Sequence, residues 1–227
     1  MDKDYIITID GPGGSGKSTV GRLLARKQGL VYLDTGAMYR VVGLETKKRG
    51  INPDDEKALQ DLCSQVDISF KPAGDGQRVF SGDNDVTDAI RAPEISMLAS
   101  RVSAVRAVRE ALVALQRHIG KNGGIVVDGR DAGTVIFPRA RFKFYLDAAV
   151  ETRAQRRYKE LIEKKMNVDY NQILSDVQKR DLDDSSRVLA PLRPAADAVI
   201  IDTTGMTIED VLSRISSEIE LKASLLP

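Results

Sequence analysis

Tryptophan is absent from the 227 residues, and cysteine and histidine occur once each, as Cys63 and His118. A single cysteine excludes an intramolecular disulfide, and without a Cys/His cluster there is nothing to hold zinc. A reducing compartment fits that usage. His118 lies in the middle of an amphipathic run over residues 105–121 and reads as a surface or helix-face residue, so chemistry built on a histidine general base is disfavoured. No run approaches the ~18 apolar residues of a membrane span. Residues 1–5 carry charge and lead into a short apolar strand without a cleavage-site pattern, so the expected location is the cytoplasm. Neither sign of charge is in excess, with 34 Lys and Arg against 33 Asp and Glu. A basic patch would have to be local, which disfavours a general nucleic-acid binder.

What is present is an ordinary globular composition, 42% hydrophobic and 30% charged, in a chain long enough for one core domain with small insertions. Apolar runs bounded by turn residues alternate with segments of helical period, the pattern of a parallel sheet covered by helices. Core strands are expected at residues 5–10, 30–33, 124–127, 142–147 and 198–202. Helices are expected at 18–28, 37–48, 54–65, 93–102, 105–121, 150–164, 170–183 and 207–221. Two short strand-like pieces, 67–70 and 77–81, flank the turn-rich 71–76 and predict an inserted antiparallel hairpin. Arg and Lys are dense over 152–187, which predicts a mobile charged lid or, more plainly, an exposed helical pair.

The strongest local signal is Gly11-Pro12-Gly13-Gly14-Ser15-Gly16-Lys17-Ser18-Thr19, which satisfies G-x-x-x-x-G-K-[ST] between an apolar strand and a helix-period segment. Glycines let backbone N–H groups turn inward around phosphate oxygens, and the following helix presents its positive end. Lys17 supplies a charge to the β and γ phosphates, and the Ser18 hydroxyl is the candidate Mg²⁺ ligand. The alternative is a glycine-rich turn with no ligand.

A phosphate loop alone does not separate kinases from other nucleotide-binding proteins. The chain lacks the Asn-Lys-x-Asp run that reads guanine and the Leu-Ser-Gly-Gly-Gln run of transporter ATPases. It carries instead arginines and acids dispersed along its length, as a kinase that brings two phosphorylated substrates together requires. Arg180, Asp184 and Arg187 stand at i, i+4 and i+7 and share a helical face, which alone reads as a solvated salt-bridge ladder. Arg153, Arg156 and Arg157 likewise share a face and alone read as a solvated run. Asp128 and Asp131 bracket Gly129-Arg130 at the C-terminal end of an expected strand, where open α/β sheets bind ligands.

Over essentially its whole length the sequence resembles the bacterial cytidylate kinases. The resemblance rests on the phosphate loop, on Leu33-Asp34-Thr35-Gly36-Ala37-Met38-Tyr39-Arg40, on Ile90-Arg91 with residues 96–103, and on Val108-Arg109-Glu110. It continues in Asp128-Gly129-Arg130-Asp131-Ala132-Gly133-Thr134-Val135, the most specific of these runs, and in Arg180-Asp181 through Ser186-Arg187 to Ala190-Pro191-Leu192. The resemblance implies a P-loop NTPase-type five-stranded parallel sheet flanked by helices, with core segments 1–36, 104–150 and 188–227. A nucleoside monophosphate-binding region with its insertion would span about 37–103 and a lid about 151–187. It further implies that Arg40, Arg130 and Arg187 clamp the acceptor phosphate and that Arg180 and Asp184 lie near its ribose. Ser100, Arg109 and Asp131 would read cytosine, Thr35 and Tyr39 would belong to the same pocket, and Arg153, Arg156 and Arg157 would close over ATP. Lys17, Asp128, Arg130 and Arg187 would form the catalytic set, with Asp128 orienting groups around Mg²⁺. The expected substrates are ATP and CMP or dCMP, acting on a monomer without nucleic-acid or membrane partners. Kinases of UMP, AMP or a non-nucleotide acceptor, and a nucleotide-dependent regulator without catalysis, stand as alternatives.

Overall fold

The structure, a computed structural model, describes residues 5–74 and 76–224. Residues 1–4 and 225–227 of the expected core and Asp75 of the expected turn lie outside the described residues. In chain order the elements are β1 (Ile6–Asp10), α1 (Lys17–Gln28), β2 (Val31–Asp34), α2 (Thr35–Lys48), α3 (Glu56–Gln65), β3 (Ile68–Ala73), β4 (Gly76–Ser81) and β5 (Asn84–Asp85). There follow α4 (Pro93–Val102), α5 (Arg106–Ile119), β6 (Ile125–Gly129), β7 (Phe142–Asp147), α6 (Val150–Glu163), α7 (Tyr170–Ser186), β8 (Val199–Asp202) and α8 (Ile208–Ser224). Contacts divide the chain into two units, Met1–Leu33 with Asn122–Pro227, and Asp34–Lys121.

The first unit is built on a five-stranded parallel sheet in the order β2-β6-β1-β7-β8. The chain leaves β1 toward one edge and later returns to fill β7 and β8 on the other side, so the direction of winding reverses at β1. Ligand crevices open at that reversal, outside the carboxyl ends of the strands. Alternation along β1 sends Ile7 and Ile9 to one face, where both are fully buried with Val20 and Leu24 of α1 and Val211 and Ile215 of α8. Thr8 and Asp10 therefore point to the opposite face. Tyr5 meets Phe142 edge to face at 5.3 Å between ring centroids, which closes the amino-terminal end of the core. Helices α6 and α7 carry a satellite cluster of their own, with Ala154, Leu161 and Ile173 buried and Tyr158 edge-on to Tyr170 at 5.9 Å. The segment expected as a charge-dominated lid thus holds itself together through an apolar seam between two helices. Among the described residues no helix is long and apolar enough to cross a membrane.

In the second unit, α2 packs on α4, α3 packs on α5, and β3, β4 and β5 form a small antiparallel sheet. The hairpin expected from the sequence is present and gains a third short strand, held by Asp85, whose carboxylate accepts from the Thr87 hydroxyl at 2.6 Å and pairs with Arg78 at 2.9 Å. Helix α5 packs on α3, and its contacts place it in this unit. Helix starts follow side-chain caps: Asp34 accepts from Ala37 N at 2.8 Å and Asp55 from Ala58 N at 3.0 Å. These caps explain why α2 begins at Thr35 and α3 at Glu56 rather than at the expected 37 and 54. His118 is exposed in the last turn of α5, as its sequence position implies.

Gly11, where β1 enters the phosphate loop, has φ of +142°, and a Cβ there would stand 2.0 Å from the Leu146 carbonyl oxygen. Gly11→Ala is expected to lose on the order of 3 kcal/mol in urea unfolding. Gly205→Ala, whose Cβ would meet nothing within 4 Å, is the control, with a change of no more than about 0.5 kcal/mol.

Candidate active site

In the first unit, the carboxyl ends of β1, β6 and β7 converge on the loop 11–19. Lys17 is only 5% exposed; its ammonium donates to the Pro12 carbonyl at 2.6 Å and to the Ser15 hydroxyl at 3.3 Å. Burial and the neighbouring Arg130 and Arg180 push its pKa down to about 7, against the opposing pull of Asp128 and Asp10. Burial and those cationic neighbours thus oppose its charged form. Ser18 lies in the first turn of α1 and the buried Asp128 acts electrostatically on Lys17, and both carry oxygens of the kind Mg²⁺ takes beside substrate phosphates. Those residues fit the ion. Tyr32 of β2, absent from the sequence expectations, donates to Asp128 Oδ2 at 2.6 Å and orients it.

Three arginines gather around one buried carboxylate. Asp184, 1% exposed, accepts from Arg130 Nε at 2.8 Å through Oδ2, pairs with Arg187 through Oδ1, and faces Arg180 Nε at 4.0 Å. Burial alone would raise the Asp184 pKa, but Arg130, Arg180 and Arg187 together hold it below the usual carboxylate value. The i, i+4, i+7 spacing thus becomes a buried ion cluster rather than a solvated ladder, because α7 runs past Asp184 to Ser186. The guanidinium tips of Arg130 and Arg180 stand beside Gly13, where an added Cβ would lie 3.5 Å and 3.8 Å from them. Two of the arginines around Asp184 therefore also face the phosphate loop.

The α6 arginines divide their roles. Arg153, 5% exposed, donates to the carbonyls of Ala148 at 2.8 Å and Gly13 at 3.3 Å and pairs with Asp181 at 2.6 Å. Arg156 donates to the Thr203 carbonyl at 2.6 Å and to the Gly14 carbonyl at 3.4 Å, and the Thr203 hydroxyl donates to the Ser15 carbonyl at 3.2 Å. Arg157 pairs with Glu160 on its own helix at 2.7 Å. Arg153 and Arg156 thus brace the outside of the loop, and Thr203 and Asp181 join them without having been anticipated.

Asp10 is the other unanticipated residue. At the end of β1 its two oxygens accept the backbone N–H of Ala132 at 2.8 Å and of Gly133 at 2.7 Å, which head the short π-helical turn Ala132–Ile136. The signal was present in the alternation of β1, which turns Asp10 away from the apolar face. Asp131 is buried immediately before that turn.

The remaining expected residues lie in the second unit. Thr35, Tyr39, Ser100 and Arg109 are buried there, Arg109 sits over the Tyr39 ring at 6.0 Å, and Arg40 pairs with Asp34 at 3.1 Å. The expected acceptor residues are thus shared between the two units.

The sequence matches the family described as Cytidylate kinase over residues 7–221. The chain belongs to the cytidylate kinase family. A cytidylate kinase of Syntrophotalea carbinolica is 50% identical over 94% of this chain and 91% of its own length, and one of Caldicellulosiruptor bescii is 48% identical over 94% of both. A shikimate kinase of Bacteroides thetaiotaomicron superposes with a TM-score of 0.50 over 95% of this chain and 98% of its own at 12% identity, a likeness of fold alone.

Asp184→Asn is expected to destabilise the protein by about 3 kcal/mol at neutral pH, because three half-buried cations lose their shared buried partner. Since the folded pKa of Asp184 is depressed, its contribution is present above its ordinary value of 3.8 and lost as pH falls below it. Urea midpoints measured at pH 7 and pH 3.5 should therefore differ less in Asp184→Asn than in the unmodified protein.

Proposed function

We infer that the protein transfers the γ-phosphoryl group of ATP to a phosphate oxygen of CMP or dCMP, giving ADP and CDP or dCDP. The observation that carries this reading is the family match across residues 7–221. That match does not favour the alternative acceptors or a non-catalytic regulator.

The acceptor phosphate is largely ionised near neutral pH, so no general base is required, and catalysis reduces to positioning and charge neutralisation. In this reading the loop N–H groups and Lys17 hold the donor phosphates, and Arg130 and Arg187, set by Asp184, neutralise the transferring group with Arg180 beside them. The closeness of Arg130 and Arg180 to Gly13 supports that assignment. Mg²⁺, carried by Ser18 and oriented through Asp128, would supply charge neutralisation on the donor phosphates when bound. Asp131, Arg109 and Ser100 read the base, Thr35, Tyr39 and Arg40 complete the acceptor pocket, and Arg153, Arg156 and Arg157 serve the donor side. Segments 37–103 and 151–187 act as the acceptor-binding region and the lid on a core of 1–36, 104–150 and 188–227, closing to exclude water. The enzyme works as a cytoplasmic monomer. The near balance of charge supports a small-molecule role, and burial, which pushes the Cys63 thiol up to about 11, suits a resting thiol in a reducing compartment.

Cytosine and uracil differ at position 4 and at N3, where donor and acceptor exchange. An ionised Asp131 accepts from the cytosine amino group but opposes the uracil carbonyl. CMP is therefore expected to exceed UMP by ~10² or more in kcat/KM, and Asp131→Asn or Asp131→Ala to lose CMP efficiency far more than UMP efficiency. An unchanged CMP to UMP ratio in both variants would remove Asp131 from the base site. Lys17→Ala is expected to lose roughly 10²-fold or more in kcat with its fold intact, since its charge acts on the transferring group.

A further inference from the structure

We propose that Asp10 is a positioning residue for acceptor selection, which clasps the turn Ala132–Ile136 and thereby sets the direction of Asp131 and Arg130. The proposal rests on the reading of Asp131 as the base-contacting carboxylate and adds a residue that the reading does not contain.

The geometry starts from the first N–H groups of a helical turn, which need acceptors that the turn itself cannot supply. A capping side chain just before the turn ordinarily provides one. Asp131 occupies that position, yet its side chain makes no capping hydrogen bond to the turn. Asp10, 122 residues earlier, accepts from Ala132 N at 2.8 Å and Gly133 N at 2.7 Å in its place. The site is built for close approach, because a Cβ on Gly133 would come within 2.8 Å of the Thr8 hydroxyl and 3.2 Å of Asp10 Oδ2. Thr8 and Asp10 share the face of β1 turned toward this segment, and β1 pairs Asp10 with Gly129 of β6. The segment 129–133 is thus held at both ends by β1, through the strand ladder at Gly129 and through the Asp10 carboxylate at Ala132 and Gly133. Arg130 and Asp131 are the two residues between. The same strand leads directly into the phosphate loop, so one rigid element sets the donor cradle and the segment that carries the selecting carboxylate.

Asp10 performs this role only as an ionised acceptor of both N–H groups. Burial, with Asp131 adding to it, raises its pKa to about 6, against the two backbone N–H groups and Lys17 of α1. From β7, Tyr145 lies opposite in the strand register, and the Lys143 side chain approaches Gly133 while its ammonium pairs with Asp197. As pH falls through about 6, the carboxyl gains a proton, one oxygen turns donor toward an N–H, and the clasp loosens. Because this folded pKa is raised, the group's contribution to stability is present at low pH and lost as pH rises through about 6. Loss of selection on acidification is therefore separate from unfolding.

The test measures kcat/KM for CMP and UMP with ATP saturating, between pH 8 and 5.5. Both acceptor phosphates ionise near pH ~6, so their ratio cancels that titration. In the unmodified enzyme the CMP to UMP ratio should fall severalfold as pH drops through 6. In Asp10→Asn, which turns one acceptor into a donor without changing size, the ratio should be about tenfold lower at pH 8 and independent of pH, with KM for CMP raised and KM for ATP changed less than twofold. A pH-independent ratio in the unmodified enzyme overturns the proposal even if the variant does not fold. So does a variant that keeps the unmodified ratio, or one that loses ATP and CMP affinity equally. Asp131→Asn separates the two readings: if it lowers the ratio and Asp10→Asn does not, only the clasp fails, and if it leaves the ratio unchanged, the base-site reading fails.

Discussion

Positive charges can be gathered within a few ångströms of one another, away from water, only if carboxylates are placed among them or a polyanion is about to arrive. Around the loop 11–19 both conditions operate. Asp184 gathers Arg130, Arg180 and Arg187, and Asp181 holds Arg153. The remaining strain falls on Lys17, whose burial and arginine neighbours depress its pKa to about 7. The sheet order, the satellite packing of α6 on α7 and the braces from Arg156 to Thr203 all keep these charges beside the loop 11–19. Cations fixed by such pairs need no reorganisation at the moment of transfer, the condition under which electrostatic stabilisation of phosphoryl transfer is most effective.

Two shifted groups sit at opposite ends of the same loop, and both have pKa values displaced against their charged forms. Lys17 is pushed down and Asp10 is pushed up, each mainly by burial. Each charged form costs folding stability, a displacement that functional sites often show. Asp184 is the counterweight: its charged form is the favoured one, and it anchors the cations that the other two groups must live beside.

Much of the architecture was legible before any coordinates, because the five core strands are short apolar runs with turn residues at their ends and the phosphate loop is a local pattern. Helix starts shifted by two residues where Asp34 and Asp55 serve as caps outside the apolar periodicity. Less of the site was legible. Arg180, Asp184 and Arg187 share a face in the sequence, but only the fold brings Arg130 from 54 residues away to Asp184. Asp10 and Tyr32 act on Ala132, Gly133 and Asp128 across separations of 96 to 123 residues, and no local pattern encodes such contacts. The apolar seam between α6 and α7 was hidden by the arginines and lysines interspersed along both helices.

With its pKa pushed down to about 7 by burial and by Arg130, Lys17 is mostly neutral at pH 8, and a bound triphosphate is expected to restore its proton. Calorimetry of a non-hydrolysable ATP analogue binding with Mg²⁺ at pH 8, repeated in buffers of different ionisation enthalpy, counts the protons exchanged. At that pH the analogue's phosphates are already ionised, so uptake reports on the protein. An uptake approaching one proton per site is expected, and it should vanish in Lys17→Met. Binding without proton uptake in the unmodified protein would contradict the claim.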